Sequence, residues 1–309
     1  MTKAVVASPK VEDETKSLSR WVHIPILALA GLFLLIGVLW RNVDVFILDL
    51  GSSWMNILPC KLFPLLLIVG FFWYYRKKEF STVLGLKILS TRTHAIIGIT
   101  VGISLYLLGN VLATIVFATF FDPSLSIELV IIEANLLWYS AIFFLINAIY
   151  EEALFRGLLQ NGLRDYISAN RAILFSAMIF GIYHIIWPIF HSETNFSRIM
   201  VTIVFSGLLG GIFGVYYEKF SSRSTLLGPI FAHWLLNFLN ENFKVSTDEI
   251  VSGPDVLLVN PVQMGIALLL VTIGFSLMLF IFWKYRVEKV QEWTSRIRSI
   301  VLKNNSIDV

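Results

Sequence analysis

The feature that most constrains this chain is the recurrence of apolar runs long enough to cross the roughly 30 Å hydrocarbon core of a bilayer. They fall at about 22–40, 56–75, 95–121, 136–158, 171–190, 199–217, 224–240 and 262–283. Trp40, Trp73, Tyr74, Tyr75, Trp138, Tyr139, Tyr216, Tyr217 and Trp283 sit at or near the run ends, where an aromatic belt would meet the lipid headgroups. A chain of 309 residues would ordinarily suggest one or two soluble domains. A mean hydropathy of +0.76, with 57% hydrophobic and 15% charged residues, overrides that reading. The expected fold class is all-α: a polytopic membrane protein with about eight transmembrane helices enclosing a polar cavity.

Charge placement gives the expected orientation. Twenty of the 24 Lys and Arg residues fall in the N-terminal tail, the 76–94, 151–171 and 218–224 regions and the C-terminal tail. The other side of an eight-span arrangement receives Arg41, Lys61, Arg198 and Lys244. The positive-inside rule then puts both termini in the cytoplasm. Residues 1–20, rich in charge, read as a disordered tail, and the first apolar run reads as an uncleaved span rather than a signal peptide. The net charge of +3 gives no reason to expect a nucleic-acid partner, and one cysteine, Cys60, excludes a disulfide framework and a thiolate metal cluster. Gly207, Gly210, Gly211 and Gly214 form overlapping G-x-x-x-G pairs that suit close helix packing. Beyond the last run, Val287, Val290, Trp293, Ile297 and Ile300 recur at helical spacing beside Arg286, Lys289, Arg296 and Arg298. That pattern fits a basic amphipathic helix on the inner leaflet, or an extension of the last span.

Three runs carry polar groups that lipid should exclude. Glu151, Glu152 and Arg156 follow the uncharged stretch 141–150, His184 lies in the fifth run, and His233 and Asn237 lie in the seventh. Each charge at bilayer depth costs about 2.5–3.5 kcal/mol on insertion scales, so such residues mark function more often than chance. Helical spacing puts Glu152 and Arg156 on one face, where they can pair, while Glu151 points about 100° away. His233 and Asn237 share a face in the same way. Counted from the nearest inner-side arginines, Glu151, His184 and His233 lie about 20, 20 and 15 Å deep, so the three can converge. Pro188 and Pro229 would loosen the backbone beside the two histidines.

A carboxylate, two imidazoles and an amide gathered inside a membrane suit the activation of water. Glu151 could act as general base, histidine could orient the water, and His233 and Asn237 could hold an oxyanion. Glu151, His184 and His233 would equally make a three-ligand zinc site with one open position. Both routes lead to amide hydrolysis. Other intramembrane protease chemistries lack their residues: the runs contain no aspartate, no H-E-x-x-H occurs, and no G-x-S-x-G or rhomboid-type G-x-S-G is present.

The motifs Glu151-Glu152…Arg156, Phe180…His184 and His233…Asn237, in this order and spacing, resemble those of the CPBP family. These are the CAAX-protease and bacteriocin-processing membrane proteins, which include the Ras-converting CAAX prenyl endopeptidase and the abortive-infection proteins. The resemblance covers about residues 138–240. It implies a multi-helix fold with a water-filled cavity open to the cytosol, and cleavage of a peptide bond near the C-terminus of a protein or peptide, in the best-known case a prenylated one. It also implies that Glu151 activates water with His184, while His233 and Asn237 hold the oxyanion. The family is described both as metalloproteases and as glutamate-dependent enzymes. The resulting division is an N-tail at 1–20, N-terminal helices at 21–137, a catalytic core at 138–240, an outer loop and last span at 241–285, and a basic C-tail at 286–309. The competing reading is a non-catalytic member of the same fold, acting as scaffold, partner-binding or immunity factor. A transporter fits less well, because no inverted repeat or broken helix pair is evident.

Overall fold

The computed structural model describes residues 23–48, 54–86, 91–132, 134–185, 196–245 and 260–305. The N-terminal tail and Pro188 lie outside the described residues. Among the described residues, five helical segments are long and apolar enough to cross a membrane, by length and composition: Ile26–Leu48, Ile57–Tyr75, Thr91–Phe120, Ile199–Phe220 and Pro261–Lys284. The chain is thus an all-α integral membrane protein. The expected runs at 136–158, 171–190 and 224–240 are not among the five, although a helix is described within each. Those three helices carry the polar groups singled out above.

In chain order the helices are α1 (Ile26–Val43), α2 (Trp54–Tyr75), α3 (Lys77–Val83), α4 (Thr91–Tyr106), α5 (Ala113–Phe120), α6 (Leu137–Glu152) and α7 (Asn161–Arg164). They continue as α8 (Ala169–Tyr183), α9 (Phe196–Val215), α10 (Leu227–Asn242), α11 (Pro261–Lys284) and α12 (Val287–Asn305). A π-helical stretch, Leu107–Leu112, joins α4 to α5, and another, Ala153–Gln160, joins α6 to α7. At 15 and 16 residues, α8 and α10 are about 22–24 Å long, short of a full bilayer core. Their surroundings explain why such helices can carry polar groups. All eight residues of Ala153–Gln160 are buried, and α10 packs along α4 on one side and α6 on the other. Protein takes the place of lipid around them.

Small residues set how closely these helices approach. A Cβ on Gly210 of α9 would stand 3.2 Å from Ala177 Cα, and one on Gly181 of α8 would stand 2.6 Å from Ile203 O, so α8 and α9 meet nearly backbone to backbone. Gly98 and Gly102 do the same for α4, facing the carbonyls of Gly228 and Ala232 on α10. This second G-x-x-x-G pair seats the helix that carries His233. Pro229 falls in the first turn of α10, where no backbone N–H has an intrahelical partner to lose, so it starts the helix rather than kinking it.

Two ends of the bundle are tied by their own contacts. At one, Arg76 donates to the Ile24 carbonyl, Leu86 bridges to Thr225, Arg164 pairs with Glu218, and Gln291 bonds Thr93. At the other, the antiparallel pair β1 (Leu129–Ile131) and β2 (Phe243–Val245) joins, with Asn110 bonding Asn240 and Gln263 bonding Thr114. The chain breaks at extended Tyr285 before α12, so the C-terminal helix is a separate element and not an extension of the last span. Val287 of α12 is buried in the core, whereas Trp293 and Ile297 are exposed.

The first span runs further than the sequence suggested, to Leu48, and takes in Arg41 and a buried aspartate, Asp44, which form an ion pair. Lys61 also moves. It belongs to α2 and to the span Ile57–Tyr75, not to an outer loop. Removing it from the loop charges leaves the charge asymmetry intact.

Candidate active site

Glu151 and Glu152 are the last two residues of α6, where the helix widens into its π-helical continuation. Such widened turns recur at functional sites. Both glutamates are buried, at 1% and 0% exposure, and they face different neighbours. Glu152 Oε1 accepts from Arg156 Nη1 at 3.1 Å, which is the expected i, i+4 pair, and also from His233 Nδ1 at 3.0 Å. The second guanidinium nitrogen, Arg156 Nη2, donates to the Gly210 carbonyl at 3.1 Å. The guanidinium lies 4.4 Å from the ring centroid of Phe180 and 5.5 Å from that of Phe213. Arg156 therefore pins α6, α8 and α9 at one point while neutralising Glu152.

Glu151 faces the other way. Its Oε1 accepts from Lys61 Nζ at 2.7 Å, and its Oε2 lies 3.7 Å from His184 Nε2 and 3.6 Å from His233 Nε2. His184 follows the last residue of α8 and donates its Nδ1–H to the Phe180 carbonyl at 2.7 Å, one of the carbonyls that a helix end leaves without a backbone partner. Carbonyls and carboxylates only accept, so each Nδ1 must carry the proton of its ring. In the neutral form of each ring, Nε2 then presents a bare lone pair toward Glu151. Three acceptors converge on one small region, and Glu151 Oε2 has no hydrogen-bond partner among the described residues.

The structure thus brings together Glu151, Glu152, Arg156, His184 and His233 from α6, α8 and α10. Asn237 lies one turn beyond His233 on α10, half-buried, and among the described residues it makes no hydrogen bond to the cluster. Burial is uneven: the side chains of Glu151 and His233 are 2% exposed, those of His184 and Lys61 26% and 18%. The cluster opens on the side of Lys61 and His184.

Lys61 was missed by the motif reading. A lysine inside the run 56–75 is a buried-charge candidate by default, but so near the start of the run it counts equally well as a loop charge.

Donor chemistry alone would suit zinc, because each imidazole holds its Nδ1–H in a bond that fixes the ring. Among the described residues no group of three or more His, Cys, Asp or Glu side chains is placed to hold a metal ion. The Lys61 ammonium on Glu151 would also repel a second cation at that point.

Residues 133–239 match the family model described as "Type II CAAX prenyl endopeptidase Rce1-like". The match spans about a third of the chain, the segment that holds α6 to α10, and the likeness to that family lies there. It is a protease family of the CAAX type, and all the motif residues above fall inside the match. Lys61 falls outside it. No curated protein and no solved structure matched the chain.

Proposed function

We propose that the chain is an intramembrane endopeptidase that hydrolyses a peptide bond near the C-terminus of a membrane-anchored protein or peptide, prenylated substrates included. The observation that carries this is the meeting of Glu151 Oε2, His184 Nε2 and His233 Nε2, which are three acceptors when both rings are neutral. A water molecule, with two protons to give and a nucleophilic oxygen, is the complement of that site. Glu151 takes one proton as the water oxygen attacks the scissile carbonyl carbon. The carbonyl becomes a tetrahedral oxyanion, and Glu151 returns the proton to the amide nitrogen as the C–N bond breaks. His184 and His233 hold the water in line. Glu152 fixes the His233 tautomer, much as a carboxylate does in a catalytic triad. His233 Nδ1 is committed to Glu152 and its Nε2 is the acceptor for the water, so His233 positions the water and Asn237 is the amide left for the oxyanion.

The test is cleavage of a farnesylated C-terminal peptide by purified protein, read as release of the C-terminal fragment. Cleavage that persists in excess chelator is the expected result. Loss on chelation with recovery on adding zinc would replace this mechanism by a metal one. A folded wild-type protein that cleaves neither farnesylated nor unmodified peptides would favour the scaffold reading instead.

For orientation, we take eight crossings with both termini cytoplasmic. Support comes from the charge asymmetry and from the two sets of end contacts: Arg76–Ile24, Leu86–Thr225, Arg164–Glu218 and Gln291–Thr93 all join regions that eight crossings put inside. The pair β1–β2 joins regions that they put outside. With Cys60 replaced, an impermeant thiol reagent on sealed cells should label a cysteine at position 195 and not one at position 168. The reverse pattern would sink this topology.

A further inference from the structure

The charges of the site balance in pairs. Glu152 has Arg156, and Glu151 has Lys61, the only cation that reaches the base among the described residues. A permanent cation on a general base presents a difficulty. It stabilises the carboxylate that must disappear when the proton arrives, and so opposes the step. The difficulty goes away if the same ammonium attracts the negative charge where that charge goes next.

In the hydrolytic step the charge does not vanish. It leaves Glu151 as the water proton arrives, and it appears at the same time on the oxygen of the scissile carbonyl. Lys61 is placed to follow it. Its Nζ uses one N–H on Glu151 Oε1, and an ammonium has three. It lies over the faces of Tyr150 and Tyr183, 5.8 and 5.6 Å from their centroids, which hold it without consuming the remaining donors. Its side chain lies on the open edge of the cluster with His184, where a substrate backbone must enter.

We infer that Lys61, contributed by α2 from outside the family-matched segment, is a further catalytic residue: its ammonium moves from Glu151 Oε1 to the substrate oxyanion as Glu151 takes the proton. Net charge at the site is then constant through the step, and the cation that restrains the base in the resting state stabilises the tetrahedral state. The inference rests on the peptidase reading above.

The experiment uses full-length protein in detergent, with the cleaved peptide and with a phosphonate analogue of it as an anionic tetrahedral mimic. Wild-type cleavage tests the peptidase reading by itself; the Lys61 variants then test the inference. Lys61→Met should lower kcat by about 10²–10³-fold, the range for loss of one oxyanion donor, with KM within about threefold. It should weaken phosphonate binding by a similar factor while uncleaved peptide binds as before. Lys61→Arg, which keeps the charge, should recover at least about tenfold of the lost kcat. A Lys61→Met protein that turns over or binds phosphonate like wild type overturns the inference. So does equal weakening of phosphonate and neutral peptide, which is what a merely structural lysine would produce. If Lys61→Met does not fold, the double variant Lys61→Met/Glu151→Gln removes both members of the pair. It is then compared with Glu151→Gln alone for phosphonate binding, where equal affinity overturns the inference.

Discussion

Glu151→Gln protein, folded and purified in detergent, should cleave peptide at least about 10²–10⁴-fold more slowly than wild type, the range for loss of a general base. The substitution is nearly isosteric. The amide oxygen can still accept from Lys61, and the side chain stays in its buried place at the end of α6. What it cannot do is take a proton from water. It also presents an N–H₂ group to two imidazoles whose Nε2 atoms are acceptors, so the amide can fill the region that water must occupy. The effect should therefore fall on kcat, and the melting temperature should move much less than in Arg156→Ala. A Glu151→Gln enzyme that still cleaves at near the wild-type rate removes Glu151 from the chemistry.

Much of this site was legible because helical period is a local rule. Glu152 and Arg156 four apart, and Glu151 one step round from them, predict an ion pair and a separate carboxylate, and α6 places them so. The convergence of His184 and His233 on Glu151 needed only similar depth on three helices. The contact between His233 and Glu152 was not legible. It depends on how α10 is rotated against α6, which no local rule gives, and on the close seat of α10 against Gly98 and Gly102 of α4. Lys61 was hidden for a different reason: a charge near a run boundary counts equally well as loop or as span until a partner is known. The eight apolar runs were legible as helices. Five meet the length and hydropathy of a membrane span, because the other three are short or lined by protein and have no need of an apolar surface all round.

Arg156→Ala should be the most destabilising of the substitutions considered, costing about 3–5 kcal/mol, the range for breaking a buried ion pair by removing one partner. Arg156 is 1% exposed and is the largest fully buried side chain among the described residues. Its loss leaves the Glu152 carboxylate, at 0% exposure, with the His233 N–H as its one hydrogen-bond donor among the described residues. It also empties the space between Phe180 and Phe213 and leaves the Gly210 carbonyl without its donor. Activity should fall with folded protein, since His233 is held by the same carboxylate. The companion variant Glu152→Gln/Arg156→Met separates the two contributions. With both charges gone and the space refilled by a side chain of suitable length, thermal stability should recover a large part of the loss. Cleavage should not recover, because a glutamine holds the His233 tautomer more weakly than a carboxylate does. Arg156→Ala protein as abundant and as heat-stable as wild type, yet inactive, would move Arg156 from the framework of the site into its chemistry.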